Sequence, residues 1–187
     1  HYISPSVWAW KKNRVRTIER DIDRLHVILP FEKAWYAHEG VDVHWVGHPL
    51  LEMLERESQP SNSSGNAKPR LLLLPGSRAQ ELERMLPVLI ETAKGLPEFD
   101  AVVAGAPGRS EADYRVAAIA GIPVEFGHTR SLMRSCDVGL ITSGTATLEA
   151  ALLGLPHVVC YKTSPITFVI ARLLVKLPWI GLPNILL

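Results

Sequence analysis

The run Leu71-Leu72-Leu73-Leu74, closed at once by Pro75-Gly76-Ser77-Arg78, restricts this chain more than any other segment. Side chains alternate between the two faces of a strand, so four consecutive leucines need cover on both. Strands of that kind belong to parallel sheets layered between helices. A helical pattern follows directly, which puts a small-residue turn and an arginine at the carboxyl end of a strand. Open α/β sheets take their ligands there. Backbone N–H groups at a helix N-terminus favour an anion, and Arg78 adds a forked, charge-assisted contact. A phosphate or diphosphate at this turn is the functional reading; an ordinary βα turn with a solvated arginine is the alternative.

From Arg70 onward, strand and helix patterns alternate. Strands are predicted over 70–74, 100–104, 122–126, 137–141 and 157–161, and helices near 79–95, 109–120, 129–135, 145–154 and 165–176. Pro87 falls inside the first of these helices and predicts a kink or a late start. Before Arg70, 25–29 and 43–46 read as strands. Helices are expected from Pro30 and over about 49–56. The polar, small-residue segment 57–66 reads as a surface loop or linker. The fold class is α/β, a doubly wound parallel sheet preceded by the end of another α/β unit over 1–48, with the second domain spanning 49–187.

The 187 residues are 47% hydrophobic, enough for a packed core. With 20 basic and 19 acidic residues, the net charge of +1 provides no global attraction for nucleic acid. Anion binding must be local. Cys136 and Cys160 form no CxxC pair and read as buried free thiols. The seven histidines include no HExxH, and the one HxxxH spacing, His44 to His48, falls on a predicted strand and its closing turn rather than on a helix, so no metal site is expected. No uninterrupted apolar stretch reaches the ~18 residues of a membrane span. The chain starts at His1 and stops on Ile185-Leu186-Leu187, which reads as a piece of a longer protein.

A second turn, Thr142-Ser143-Gly144-Thr145, follows the strand at 137–141. Ser143, Gly144 and Thr145 suit a helix start. Glu149 lies one helical turn beyond Thr145 and can share a face with it. A carboxylate there can accept from two vicinal hydroxyls, as on a ribose. A capped helix with a solvated glutamate is the alternative, although a carboxylate among Leu148, Ala150 and Leu152 needs a partner. One turn suits a phosphate and the other a sugar diol, which together describe a nucleotide-sugar site. Neither GxxxxGK[ST] nor GxGxxG is present, and Ser143 lacks the GxSxG elbow of a hydrolase nucleophile.

Taken in order, Ser4-Pro5-Ser6-Val7-Trp8-Ala9-Trp10, Leu29-Pro30-Phe31-Glu32, Gly47-His48-Pro49, Leu74-Pro75-Gly76-Ser77-Arg78, Ser143-Gly144-Thr145-Ala146-Thr147-Leu148-Glu149 and Leu182-Pro183-Asn184 resemble the lipid-A-disaccharide synthase family. The resemblance implies a GT-B glycosyltransferase of two Rossmann-like domains. It implies transfer of 2,3-diacylglucosamine from UDP to 2,3-diacylglucosamine 1-phosphate, with inversion and without a metal. UDP-sugar is then a substrate and no cofactor is required. The implied location is the cytoplasmic face of a Gram-negative inner membrane, with a homo-oligomeric parent left open.

Residue by residue, the resemblance assigns Gly76, Ser77 and Arg78 to the diphosphate, with Arg78 stabilising the leaving group. It assigns Glu149 to the ribose, Ser143, Gly144 and Thr145 to the nucleotide, and Asn184 to the nucleotide cleft. The general base falls in an amino-terminal half outside this chain, so the chain alone is expected to bind UDP at most. Rival readings are another UDP-sugar GT-B enzyme, such as a 2-epimerase or the peptidoglycan GlcNAc-transferase, and a non-catalytic nucleotide-sugar-binding module.

Four tryptophans, Trp8, Trp10, Trp35 and Trp45, crowd the first 48 residues. They read as core, with Trp8 and Trp10 beside a cleft or acyl entrance as the sharper alternative. Lys11, Lys12, Arg14, Arg16 and Arg20 read as a solvated helix face, or as attraction to anionic lipid. His48 reads as structural. Arg172 and Lys176, on an otherwise apolar helix, leave a sheet-packed or a membrane-interface role open.

Overall fold

The computed structural model describes residues 1–56 and 68–162. They fall into two compact units, 1–56 in one and 68–162 in the other. The predicted helix over 165–176, Asn184 and the 57–66 segment lie outside the described residues.

The first unit runs α1 (Val7–Trp10), a 3-10 turn (Lys12–Arg14), α2 (Val15–Asp21), β1 (His26–Val27), α3 (Pro30–His38), β2 (His44–Trp45) and α4 (Pro49–Arg56). By its contacts α4 groups with the residues before it. β1 and β2 pair in parallel, His26 beside His44. Val7, Val15, Ile18, Leu25, Val27 and Tyr36 are core residues.

Pro30 opens α3 because its fixed φ suits a first helical residue. Glu32, only 2% exposed, turns back to this helix start. Its Oε2 accepts the N–H groups of Ile28 (3.2 Å) and Leu29 (2.9 Å), and its Oε1 accepts Trp8 Nε1–H (3.1 Å). Trp8 also meets Phe31 edge-on at 5.0 Å, and Ser4 Oγ shares a hydrogen bond with Tyr36 Oη at 2.5 Å. The two segments most particular to the resemblance, 4–10 and 29–32, therefore form one interlocked cluster around a buried carboxylate.

In the second unit, β3 (Arg70–Leu74), α5 (Ala79–Lys94), β4 (Asp100–Gly105), a 3-10 turn (Glu111–Tyr114), α6 (Arg115–Ile119), β5 (Val124–Phe126), α7 (Thr129–Ser135), β6 (Val138–Thr142), α8 (Thr145–Leu152) and β7 (His157–Cys160) follow in order. All five strands are parallel, arranged β5-β4-β3-β6-β7. β3 is central. Leu71 and Leu73 pack with Leu82, Met85, Leu86 and Leu89 of α5, while Leu72 and Leu74 pack with Leu132 and Met133 of α7 and Ala150 of α8. The leucine run is thus covered on both faces, in a Rossmann-like sheet wound both ways from its middle.

Two local expectations are refined. α5 runs unbroken through Pro87, so the late start is excluded. Pro87 and Glu83 are both exposed, and the Glu83 carbonyl that Pro87 cannot serve opens towards water. The helix expected over 109–120 is instead a 3-10 turn followed by five helical residues. Tyr114, between them, has φ −109° and ψ 19°, outside the helical region. Its ring is buried, and its Oη accepts Ala106 N–H at 2.8 Å, which fixes the chain there.

Leu72 is fully buried in the central strand. Leu72→Ala should lower the unfolding free energy by about 2–5 kcal/mol in urea titrations with an unchanged m-value. A loss below about 1 kcal/mol would contradict its placement.

Candidate functional site

Chain direction across the sheet reverses between β3 and β6. Strands after β3 build outward through β4 and β5; β6 then returns to the other side of β3, and β7 follows. Leu74 is in register with Ile141, so the turns after β3 and β6 leave the sheet from adjacent positions. In an open α/β sheet this is the crevice where a ligand fits without meeting a covering helix. The amino end of β3 is closed instead: Arg70 N–H donates to Asp137 Oδ2 (2.7 Å), and the Arg70 side chain reaches Ser135 Oγ (3.2 Å).

At the β3 turn, Pro75 is buried, Gly76 half-buried, and Ser77 and Arg78 are exposed. Gly76 has φ +101°, and a Cβ there would stand 2.7 Å from Glu81 Oε2 and 2.9 Å from Glu81 Cβ. Only glycine fits both conditions. Glu81 is the residue that sequence reasoning missed. Its Oε2 lies 3.3 Å from both the Ser77 and Arg78 N–H donors, and Arg78 Nη1 donates to its Oε1 at 2.9 Å. The signal was legible, because a glutamate three residues after a helix N-cap is half of a capping box. Arg78 remains 84% exposed, so its guanidinium is available to a ligand. An anion bound here would meet a positive turn already loaded with a carboxylate.

A second cation reaches the same turn. Arg109, on the loop after β4, donates from Nε to the Ser77 carbonyl at 3.1 Å. The Ser77 residue is thus held at both ends, its N–H by Glu81 and its C=O by Arg109.

At the β6 turn, Ser143 N–H donates to the Cys160 carbonyl (2.9 Å), and Gly144 is the extended N-cap of α8. Thr147 Oγ1 donates to the Gly144 carbonyl at 2.7 Å. Glu149 is 17% exposed, and its Oε1 accepts Arg130 Nε from the first turn of α7. Arg130 is the partner that a carboxylate in this apolar helix required. Nothing in the spacing pointed to it, since the two residues meet only through the packing of α7 and α8 on one face. Thr142 Oγ1, buried at the end of β6, makes no hydrogen bond among the described residues.

Of the sequence-predicted residues, Gly76, Ser77, Arg78, Ser143, Gly144 and Thr145 lie on the two turns or at the start of α8, at the carboxyl edge, and Glu149 lies one turn into α8. Asn184 is outside the described residues. Burial pushes the Cys136 thiol up to about 11 and raises that of Cys160. Both cysteines are free. Burial lowers the His48 pKa, and His48 Nδ1 accepts Leu50 N–H at 3.2 Å, a structural contact. Among the described residues no group of three His, Cys, Asp or Glu could hold a metal, and no helix is long and apolar enough to cross a membrane. Three cations of the basic run pair with nearby acids: Lys12 with Glu39 (2.7 Å), Arg16 with Glu19 (3.1 Å) and Arg20 with Asp21 (2.6 Å).

Residues 1–187 match the family model described as lipid-A-disaccharide synthetase. The lipid-A-disaccharide synthases of Trichlorobacter lovleyi and Syntrophus aciditrophicus are 41% and 40% identical to the chain over 99% of it. That of Colwellia psychrerythraea is 40% identical over 100%. The matched region is 51%, 52% and 51% of those three proteins, so the chain spans about half the length of the curated relatives it matches.

Gly76→Ala should cost about 1–3 kcal/mol in unfolding free energy. Gly108→Ala, at φ +75° with open space around it, should cost less. Equal costs would remove the claim that Glu81 crowds the turn. At pH 8 the Cys136 thiol should resist disulfide exchange in the folded chain and react on unfolding, because its thiolate fraction is very small. Rapid native reaction at Cys136 would contradict its burial.

Proposed function

The chain belongs to the lipid-A-disaccharide synthetase family, and we propose that it supplies the UDP-sugar side of a glycosyl transfer from UDP-2,3-diacylglucosamine to 2,3-diacylglucosamine 1-phosphate. The unit holding 68–162 carries the nucleotide sugar, and the unit holding 1–56 is the end of the acceptor-side domain. The observation that carries the reading is the pairing of the β3 and β6 turns at the point where chain direction reverses.

In this reading the diphosphate lies against the Gly76-Ser77-Arg78 turn and the start of α5. The acceptor hydroxyl attacks the anomeric carbon as the bond to the UDP oxygen breaks, inverting the centre. Negative charge then grows on the leaving diphosphate. The Arg78 guanidinium, oriented on one side by Glu81, stabilises that charge, and the turn amides add to it as the Glu81 carboxylate yields them. A carboxylate has about four lone-pair sites, so Glu149 can accept from ribose hydroxyls while Arg130 holds it. Ser143, Gly144 and Thr145 line the nucleotide side. The hydroxyl proton passes to a base in the half of the relatives that this chain does not match.

Acyl chains on both substrates tie the reaction to a membrane surface. The cytoplasmic face of the inner membrane is the proposed location, with the protein peripheral to it.

Titration calorimetry of the chain with UDP and with uridine tests the site. Arg78→Ala should weaken UDP by about tenfold or more and leave uridine nearly unchanged. Glu149→Ala should weaken both. Absence of UDP binding would overturn the reading. Incubated with both lipid substrates, the 187 residues alone should form no disaccharide; product would contradict a base lying elsewhere.

A further inference from the structure

The loop after β4 presents a cation to the β3 turn, and three contacts fix it there. Ala106 N–H is held by the buried Tyr114 Oη (2.8 Å), Arg109 N–H returns to the Ala106 carbonyl (3.2 Å), and Ser110 N–H is accepted by Asp113 Oδ2 (2.9 Å). Gly108 supplies the positive φ that the tight loop needs. From this support Arg109 reaches across the edge of the sheet to the Ser77 carbonyl. Only Nε makes that bond. The two Nη groups, with four N–H donors, bond nothing among the described residues. The Asp113 pKa is lowered, first by Ser110 N–H and in smaller part by Arg109.

We propose that Arg109 is the second cation of the diphosphate subsite, bracketing the Ser77 turn opposite Arg78 and contacting the bound anion through its Nη groups. The proposal rests on the UDP-sugar reading above. Glu81 already neutralises part of the Arg78 charge at this turn. A doubly charged diphosphate therefore needs a further positive group, and Arg109 is the one that the fold fastens to the same peptide. Its Nε bond fixes the guanidinium plane before the ligand arrives, so little side-chain entropy is lost on binding.

The test uses the full chain, titrated with UDP and with uridine at low and high salt. Arg109→Gln can keep an N–H donor for the Ser77 carbonyl but removes the charge. It should weaken UDP by about tenfold, change uridine by less than about twofold, and flatten the salt dependence of UDP binding. Arg109→Lys, which keeps the charge without the fork, should fall between Arg109→Gln and the unaltered chain. UDP binding by Arg109→Gln equal to that of the unaltered chain would assign Arg109 only to shaping the turn and overturn the proposal. Equal losses for uridine and UDP would overturn it as general damage. If the unaltered chain binds no UDP, the UDP-sugar reading fails and this proposal fails with it.

Discussion

Burial of the Leu71–Leu74 run on both faces is the constraint from which the rest of this architecture follows. Four apolar side chains alternating across a strand leave no face for water. They are accommodated by α5 on one side and α7 and α8 on the other, with β4 and β6 on the two edges. A central strand flanked in this way must end beside its neighbour across the reversal of chain direction, and that neighbour is β6. The crevice between their carboxyl ends is therefore a consequence of core packing, and the turn residues fill a position that the leucines already determine.

Within that crevice the donors and charges are arranged in pairs. Glu81 faces the Ser77 and Arg78 amides, Arg109 holds the Ser77 carbonyl, and Arg130 holds Glu149. Each pair spends one charge to fix the geometry of another group. A bare turn with an isolated arginine would have to order itself on binding. This one is ordered beforehand, at the cost of a carboxylate that competes with an incoming anion for the same two N–H groups. In the proposed nucleotide site, Arg78 and Arg109 offset that competition.

The sheet was legible because its signals are local. Apolar runs of four to six residues, each followed by a helical pattern, locate all five strands of the second unit to within two residues, as at 70–74 against Arg70–Leu74. The turns were legible for the same reason, since Pro75-Gly76-Ser77 and Ser143-Gly144-Thr145 announce themselves in sequence. Apart from Glu81, whose capping-box spacing is local, what escaped was non-local. Arg109 and Ser77 are 32 positions apart and meet only through strand order, and Arg130 meets Glu149 only through helix packing. The Trp8–Glu32 contact of the first unit is of the same kind: both residues stood in motifs, yet nothing in sequence said that one motif donates a hydrogen bond to the other. The break of the 109–120 helix at Tyr114 also has a tertiary cause, the bond from Ala106.

The central claim is that an anion-bearing nucleotide occupies the carboxyl edge between β3 and β6. The most direct measurement is the change in backbone amide resonances of the isotope-labelled chain on saturation with UDP. The account predicts the largest changes at Ser77, Arg78 and Ala79 and at Ser143 to Thr145, with Arg70 and Asp137 at the opposite end of the sheet unmoved. Changes concentrated away from those two turns, or none at saturating UDP, would contradict it.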